Sequence, residues 1–268
     1  MSNEIVFVGI APHPPLLIPE VGKGRIQQVK SSINALNNFS ERVIKTNPDT
    51  VVIISPHSPG DYYRFGAFSS RQLIGDFRQF GAREVSLSFA NDKELLETLR
   101  VVTKEREIPF DFFDGDYPLD HGVLVPMYYL YQAGWRGQVL GLSFTSLPLS
   151  KHIEFGQACQ EAASRLARRV AFIASADLSH YLSHNGPYPF EPGAHLFDEE
   201  VCQAIDKQDL LAIVNIDQTL RRKAGECGYR SILVAIGAAQ TNTSPKLLSY
   251  ECPFGVGYMT AILKEICN

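Results

Sequence analysis

The chain has 268 residues, 45% of them apolar, and a formal net charge of -4. That length suits one large α/β domain or two small ones, and the apolar share supports a packed core rather than a disordered chain. The weak negative charge gives no footing for nucleic-acid binding, no run of about 18 apolar residues is present to cross a membrane, and Met1-Ser2-Asn3-Glu4 lacks the basic region of a signal peptide.

Glu4 to Ile10 (EIVFVGI) reads as a buried strand. From Arg25 to Lys45, Ile26, Val29, Ile33, Leu36, Phe39 and Val43 recur in steps of three and four, which predicts an amphipathic helix stopped by Asn47-Pro48-Asp49. Thr50 to Ser55 (TVVIIS) is β-branched and nearly free of polar side chains, the mark of a second buried strand. Phe65 to Phe89 reads as a hairpin-like excursion. Asp92 to Glu105 and Gly122 to Gln132 read as helices, Gln138 to Phe144 as a strand, His152 to Arg169 as a helix, and Val170 to Ser175 (VAFIAS) as a strand. Phe197 to Ile205 and Gly228 to Ala239 follow as helices, then Lys246 to Glu251 and Gly255 to Leu263 as closing strands. Alternating strands and helices predict an α/β fold: one layered domain over residues 1–268, with a central, mainly parallel or mixed sheet and helices on both faces.

The cysteines at 159, 202, 227, 252 and 267 are odd in number and have no CxxC spacing. Reduced thiols fit this better than a disulfide framework, so the expected location is cytoplasmic. There is no GxSxG elbow, no P-loop and no GxGxxG after a strand, which leaves acyl-transfer and nucleotide chemistry without a signature.

Of seven histidines, three share a context. His13 follows EIVFVGI in Ala11-Pro12-His13-Pro14-Pro15, His57 follows TVVIIS in Ser55-Pro56-His57-Ser58-Pro59, and His180 follows VAFIAS in Ser175-Ala176-Asp177-Leu178-Ser179-His180. Ends of parallel strands gather at one edge, where ligands bind in α/β sheets, so three imidazoles far apart in sequence meet there. The neighbouring prolines stiffen the loops of His13 and His57. One histidine after a strand is usually a surface or capping residue; three in the same placement point to a shared site, and neutral imidazole is the commonest metal ligand and general base. His121, in Leu119-Asp120-His121-Gly122, sits at a predicted helix start, equally consistent with a cap and with a site residue. His152 reads as a solvated helix-start residue, and His184 and His195 carry no comparable context.

Two histidines and one carboxylate on one face of Fe(II) leave positions open for substrate and O₂. Candidate carboxylates are Glu226, in Ala224-Gly225-Glu226-Cys227-Gly228-Tyr229-Arg230, and Glu251, in Ser249-Tyr250-Glu251-Cys252-Pro253. Cys227 is itself a candidate thiolate ligand. Asp177 and Asp198 are candidate hydrogen-bond partners for the ligand histidines.

Taken together, APHPPLLIPEVG, SPHSP, the segment from Leu119 to Met127, ASADLSHYL, AGECGYRS and YECPFGVGY resemble the type III extradiol (LigB-like) dioxygenase superfamily, particularly the branch with Memo and the AmmeMemoRadiSam proteins. These motifs run from residue 11 to residue 258 in the expected order. The resemblance implies metal ligands at His13, His57 and Glu226, with Cys227 standing where Memo has a cysteine. It implies His180 as the general base and His121 beside the substrate. The implied activity is non-haem Fe(II)-dependent extradiol cleavage of a catechol or aminophenol ring with O₂. The alternative is a Memo-like metal-binding protein that does not cleave rings. Zn²⁺ or another divalent ion also suits such ligands. The implied partners are a small aromatic substrate and O₂, with association into a homo-oligomer.

Overall fold

The computed structural model describes residues 4–113, 115–241 and 243–266. The eight-stranded sheet has the order β6-β3-β7-β2-β8-β1-β10-β9. At its centre run β7 (Gln138–Ser143), β2 (Thr50–Ser55), β8 (Val170–Ser175) and β1 (Ile5–Ala11), all parallel. On the β1 side, β10 (Tyr258–Glu265) and β9 (Lys246–Glu251) add antiparallel. On the β7 side, β3 (Phe65–Ala67) pairs antiparallel, and β6 (Phe110–Phe112) runs parallel to β3. The sheet is therefore mixed around a parallel core.

Every residue of β1, β2 and β8 is buried, as expected for strands covered on both faces. Alternate side chains enter different clusters. Val52, Ile54, Phe172 and Ala174 join the core formed with α3 (Lys93–Glu105), α5 (Leu149–Arg165), α6 (His195–Asp206) and α9 (Tyr229–Ala239). Val51, Ile53, Ala171 and Ile173 join α2 (Lys30–Lys45), α4 (His121–Gln132) and the hairpin of β4 (Gln72–Phe77) and β5 (Ala82–Ala90). Helices thus cover both faces of the sheet, as the alternation of elements predicts. Among the described residues, no helix is long and apolar enough to cross a membrane.

The structure corrects several local expectations. Residues 65–89 divide between a true hairpin and β3, which joins the main sheet. The segment before α2 is a 3-10 helix, Lys23–Val29. Helix α5 begins at Leu149, not His152, so His152 lies inside the first turn and is fully buried. Its ring nitrogens face the carbonyls of Pro148 (3.3 Å) and Thr145 (3.1 Å), and its ring packs edge-on against Phe65. The sequence reading of His152 as solvated therefore fails: the earlier helix start turns it into the core. Two short helices between α6 and α9, at Leu210–Val214 and Gln218–Ala224, were not expected either.

Pairings Ala11↔Ser175 and Ile54↔Ala174 bring β1, β8 and β2 to their carboxyl ends nearly level. The loops carrying His13, His57 and residues 177–180 consequently leave one edge of the sheet.

Candidate metal centre

His13 is 1% exposed. Its backbone N–H donates to Asp177 Oδ1 at 2.9 Å, so the β8 loop holds the β1 loop. Its Nδ1 lies 2.8 Å from Ser175 Oγ. Its Nε2 then faces three donors: His57 Nε2 at 3.1 Å, Cys227 Sγ at 3.5 Å and Asp177 Oδ2 at 3.6 Å.

His57 is set by a short network. Its backbone N–H donates to Ser55 Oγ at 3.1 Å. The hydroxyls of Ser55 and Ser58 donate to the two oxygens of Asp120 at 2.6 and 2.7 Å. Asp120 also caps α4 by accepting from Val123 N–H at 3.2 Å. One carboxylate thereby joins the His57 loop to the helix whose first residue is His121, and the two imidazoles stack with centroids 4.2 Å apart. Gly122 makes this approach feasible: a Cβ there would sit 2.2 Å from Ser55 Oγ.

His180 hangs from the loop after β8. Its N–H donates to Ala224 O at 2.9 Å, and its ring stacks on Tyr188 at 4.9 Å. Asp198 accepts from the backbone N–H of Ser179 (2.9 Å) and from Tyr250 Oη–H (2.7 Å). It steadies the residue before His180 rather than a histidine ring.

Burial lowers every imidazole of the cluster. His13 falls well below its ordinary value through burial, then through the neighbouring His57, His121 and His180. Burial lowers His57 too, with Asp120 opposing. Burial first and His57 second bring His121 and His180 to about 4. These rings are neutral at pH 7, the state in which imidazole ligates a metal or accepts a proton. Burial lifts the Asp177 carboxyl to about 7 against the His13 N–H bond that favours its anion. Burial and Asp177 hold the Cys227 thiol well above its usual range.

Two donor sets emerge among the described residues, each with ligand atoms within 4.8 Å of one another: His13, His57 and His121, and His13, Asp177 and Cys227. They share His13. Glu226 belongs to neither. Its Oε2 accepts from Tyr229 N–H at 2.6 Å, so the side chain folds back onto the first turn of α9 and Cys227 faces His13 instead. Glu251 is also engaged elsewhere, accepting from Ser32 N–H (2.8 Å) and Ser32 Oγ–H (2.5 Å). His184 packs on Phe190, and His195 opens α6. Sequence reasoning named Cys227 as an alternative ligand to Glu226, and Asp177 only as a hydrogen-bond partner of the histidines; it missed Ser55, Asp120 and Ser175, whose only sequence signal is adjacency to strand ends and a helix start.

A cleft of about 1070 Å³ opens onto this cluster. It lies between the β4–β5 hairpin and the segment leading into α4, and is lined by Arg71, Gln72, Phe80 and Tyr117, with His57 and His121 among its walls. That volume is at the upper end for small-molecule sites.

The family model for the catalytic LigB subunit of aromatic ring-opening dioxygenase matches residues 8–261. The chain belongs to the LigB family. This LigB-family chain is 28% identical to Protein CA_C1420 of Clostridium acetobutylicum, over 97% of its own length and 57% of the relative's. It thus spans little more than half of that curated relative. In fold it resembles the crystal structure of uncharacterized protein JW3007 from Escherichia coli K12, with a TM-score of 0.61, 16% identity, and coverage of 85% of this chain and 91% of that one.

Proposed function

We propose that the chain is a metal-dependent oxidoreductase that opens an aromatic diol or aminophenol ring with O₂. The observation that carries this reading is the meeting of His13 Nε2 and His57 Nε2, 3.1 Å apart, beside a cleft of substrate size. Two neutral imidazole nitrogens facing one another, with a thiol and a carboxyl within 4 Å of one of them, form a donor set that fits a divalent transition ion. His13 and His57 would hold the ion, with Cys227 and Asp177 the nearest further donors and His121 alongside. Fe(II) bound there would supply Lewis acidity toward a substrate hydroxyl and the redox chemistry that O₂ requires.

The chain's own residues supply the rest. His180, kept neutral by burial and near enough to His57 for each to disfavour the other's protonation, takes the proton from the substrate hydroxyl and returns it later. Phe80 and His121, in edge-to-face contact at 5.5 Å, give an aromatic ring a wall to lie against. Burial of His13 keeps water from its free nitrogen.

A second reading is supported by Cys227. A thiolate donor suits softer or redox-active metals, and a protein built on it binds metal without opening rings. One experiment separates the two. The protein is loaded anaerobically with Fe(II), offered a panel of catechols and aminophenols, and followed by O₂ uptake and by the absorbance of the ring-opened product. O₂ uptake that disappears in His180→Ala supports ring opening. Tight metal binding without O₂ uptake across the panel leaves the metal-binding reading, and failure to bind any divalent ion overturns both.

A further inference from the structure

Helix α4 contains a proline, Pro126, in its interior. Proline has no N–H, so the carbonyl four residues earlier loses its helical donor. That carbonyl belongs to Gly122, and Ser175 Oγ lies 2.6 Å from it. Ser175 is fully buried at the end of β8. A hydroxyl carries one proton, and a carbonyl can only accept. The proton therefore goes to Gly122 O, where it takes the place of the helical donor that Pro126 lacks. The Ser175 oxygen is left as an acceptor, and its neighbour at 2.8 Å is His13 Nδ1. His13 must then carry its proton on Nδ1, which leaves the Nε2 lone pair bare at the point where His57, Cys227 and Asp177 converge.

We propose that Pro126, acting through Gly122 O and Ser175, fixes the tautomer of His13, and that Ser175 and Pro126 are positioning residues of the site. A corollary concerns His57. The two Nε2 atoms are 3.1 Å apart, and a hydrogen bond between them needs one proton. With His13 fixed as acceptor, His57 is the donor in the metal-free protein. Filling the site therefore requires His57 to move its proton to Nδ1, while His13 changes nothing. The orientation of the His13 nitrogen toward an ion rests on the metal-binding reading above; the tautomer itself does not.

The test uses the full chain labelled with ¹⁵N at histidine, purified free of metal and studied near neutral pH, where two-bond ¹H–¹⁵N spectra distinguish protonated from bare ring nitrogens. The expected result is His13 protonated at Nδ1 alone and His57 at Nε2 alone. Adding Zn²⁺ as a diamagnetic probe should switch His57 and leave His13 unchanged. In Ser175→Ala, His13 should become a mixture of tautomers, and Zn²⁺ affinity should fall by roughly 10-fold or more, as for other loss of a ligand histidine's hydrogen-bond partner. Pro126→Ala provides the independent check. It returns an N–H to Gly122 O, frees the Ser175 proton to turn toward Nδ1, and should produce the same mixing with the serine in place. A wild-type His13 protonated at Nε2, or a fixed Nδ1 tautomer in both variants, overturns the proposal. Zn²⁺ that fails to bind a correctly tautomerised wild-type protein overturns the metal reading and leaves the tautomer relay standing.

Discussion

Glu226 and Cys227 are adjacent, yet their side chains do opposite work. The glutamate accepts from Tyr229 N–H at the start of α9, a bond that satisfies one of the free donors of a helix N-terminus. With its carboxylate spent there, the next side chain faces His13 Nε2 at 3.5 Å. Substitutions should separate the two. Cys227→Ala is expected to lower Fe(II) or Zn²⁺ affinity by roughly 10-fold or more with little change in melting temperature, since partners that hold or orient a bound ion carry effects of that size. Glu226→Ala is expected to keep metal affinity within a few-fold but to cost about 1 kcal/mol of stability through loss of the capping contact. Metal titration beside thermal denaturation checks both; an inverted pattern would restore Glu226 as ligand. The sequence offered Glu226 and the adjacent Cys227 as candidates for the third ligand and did not decide between them. Which of two neighbours turns inward depends on the capping geometry of one helical turn, and no periodicity in AGECGYRS records that.

The elements explain why the histidines were legible and their supports were not. Three buried strands, each followed by a histidine, make a parallel edge on which those histidines must converge, and that inference needs only strand direction. The supports depend on register between elements. Asp120 links Ser55, Ser58 and Val123 only because the start of α4 abuts the end of β2, and nothing in the local sequence sets that meeting. His152 shows the same limit: moving a helix start back by three residues carries it from solvent to core. The β2–α4 junction is tight enough to test. In Gly122→Ala the new methyl group would fall 2.2 Å from Ser55 Oγ, so the strand end and helix must separate. Overpacking of this kind costs about 1–3 kcal/mol, and here it also parts His57 from His121 and strains the Gly122–Ser175 bond. The expected outcome is a lower melting temperature together with weakened metal binding. A variant that loses stability but binds metal as before would show that the junction supports the fold without setting the site.

Across the whole molecule, burying this many ionisable groups should appear as a pH dependence of stability in the metal-free protein. His121, His152 and His180 are each lowered to about 4, and His13 and His57 move the same way, all chiefly through burial. Between about pH 4 and 6.5 the unfolded chain therefore binds more protons at these rings than the folded one, so stability falls as pH falls through that window. Asp177 works in the opposite direction: with its carboxyl raised to about 7, the folded protein holds a proton that the unfolded chain has released, and stability declines as pH rises toward 7. Burial raises Asp198 and Glu226 in the same sense as Asp177. Five imidazoles outnumber three carboxyls, so the net slope is positive. The expected loss is on the order of 2 kcal/mol between pH 6.5 and 5, after discounting for partial exposure. Asp177→Asn keeps an oxygen to accept from His13 N–H but removes the opposing ionisation, so the variant should lose stability more steeply on acidification than the wild type, its advantage growing from about pH 4 to 7 and levelling off above that. Urea denaturation across pH 5–8 reads both curves. If the wild-type and asparagine curves are both flat or rise toward acid, the rings are already protonated in the folded state, which is incompatible with neutral imidazoles at the site; a flat wild-type curve beside a falling asparagine curve would instead identify the carboxyl beside His13 as the group that balances the rings.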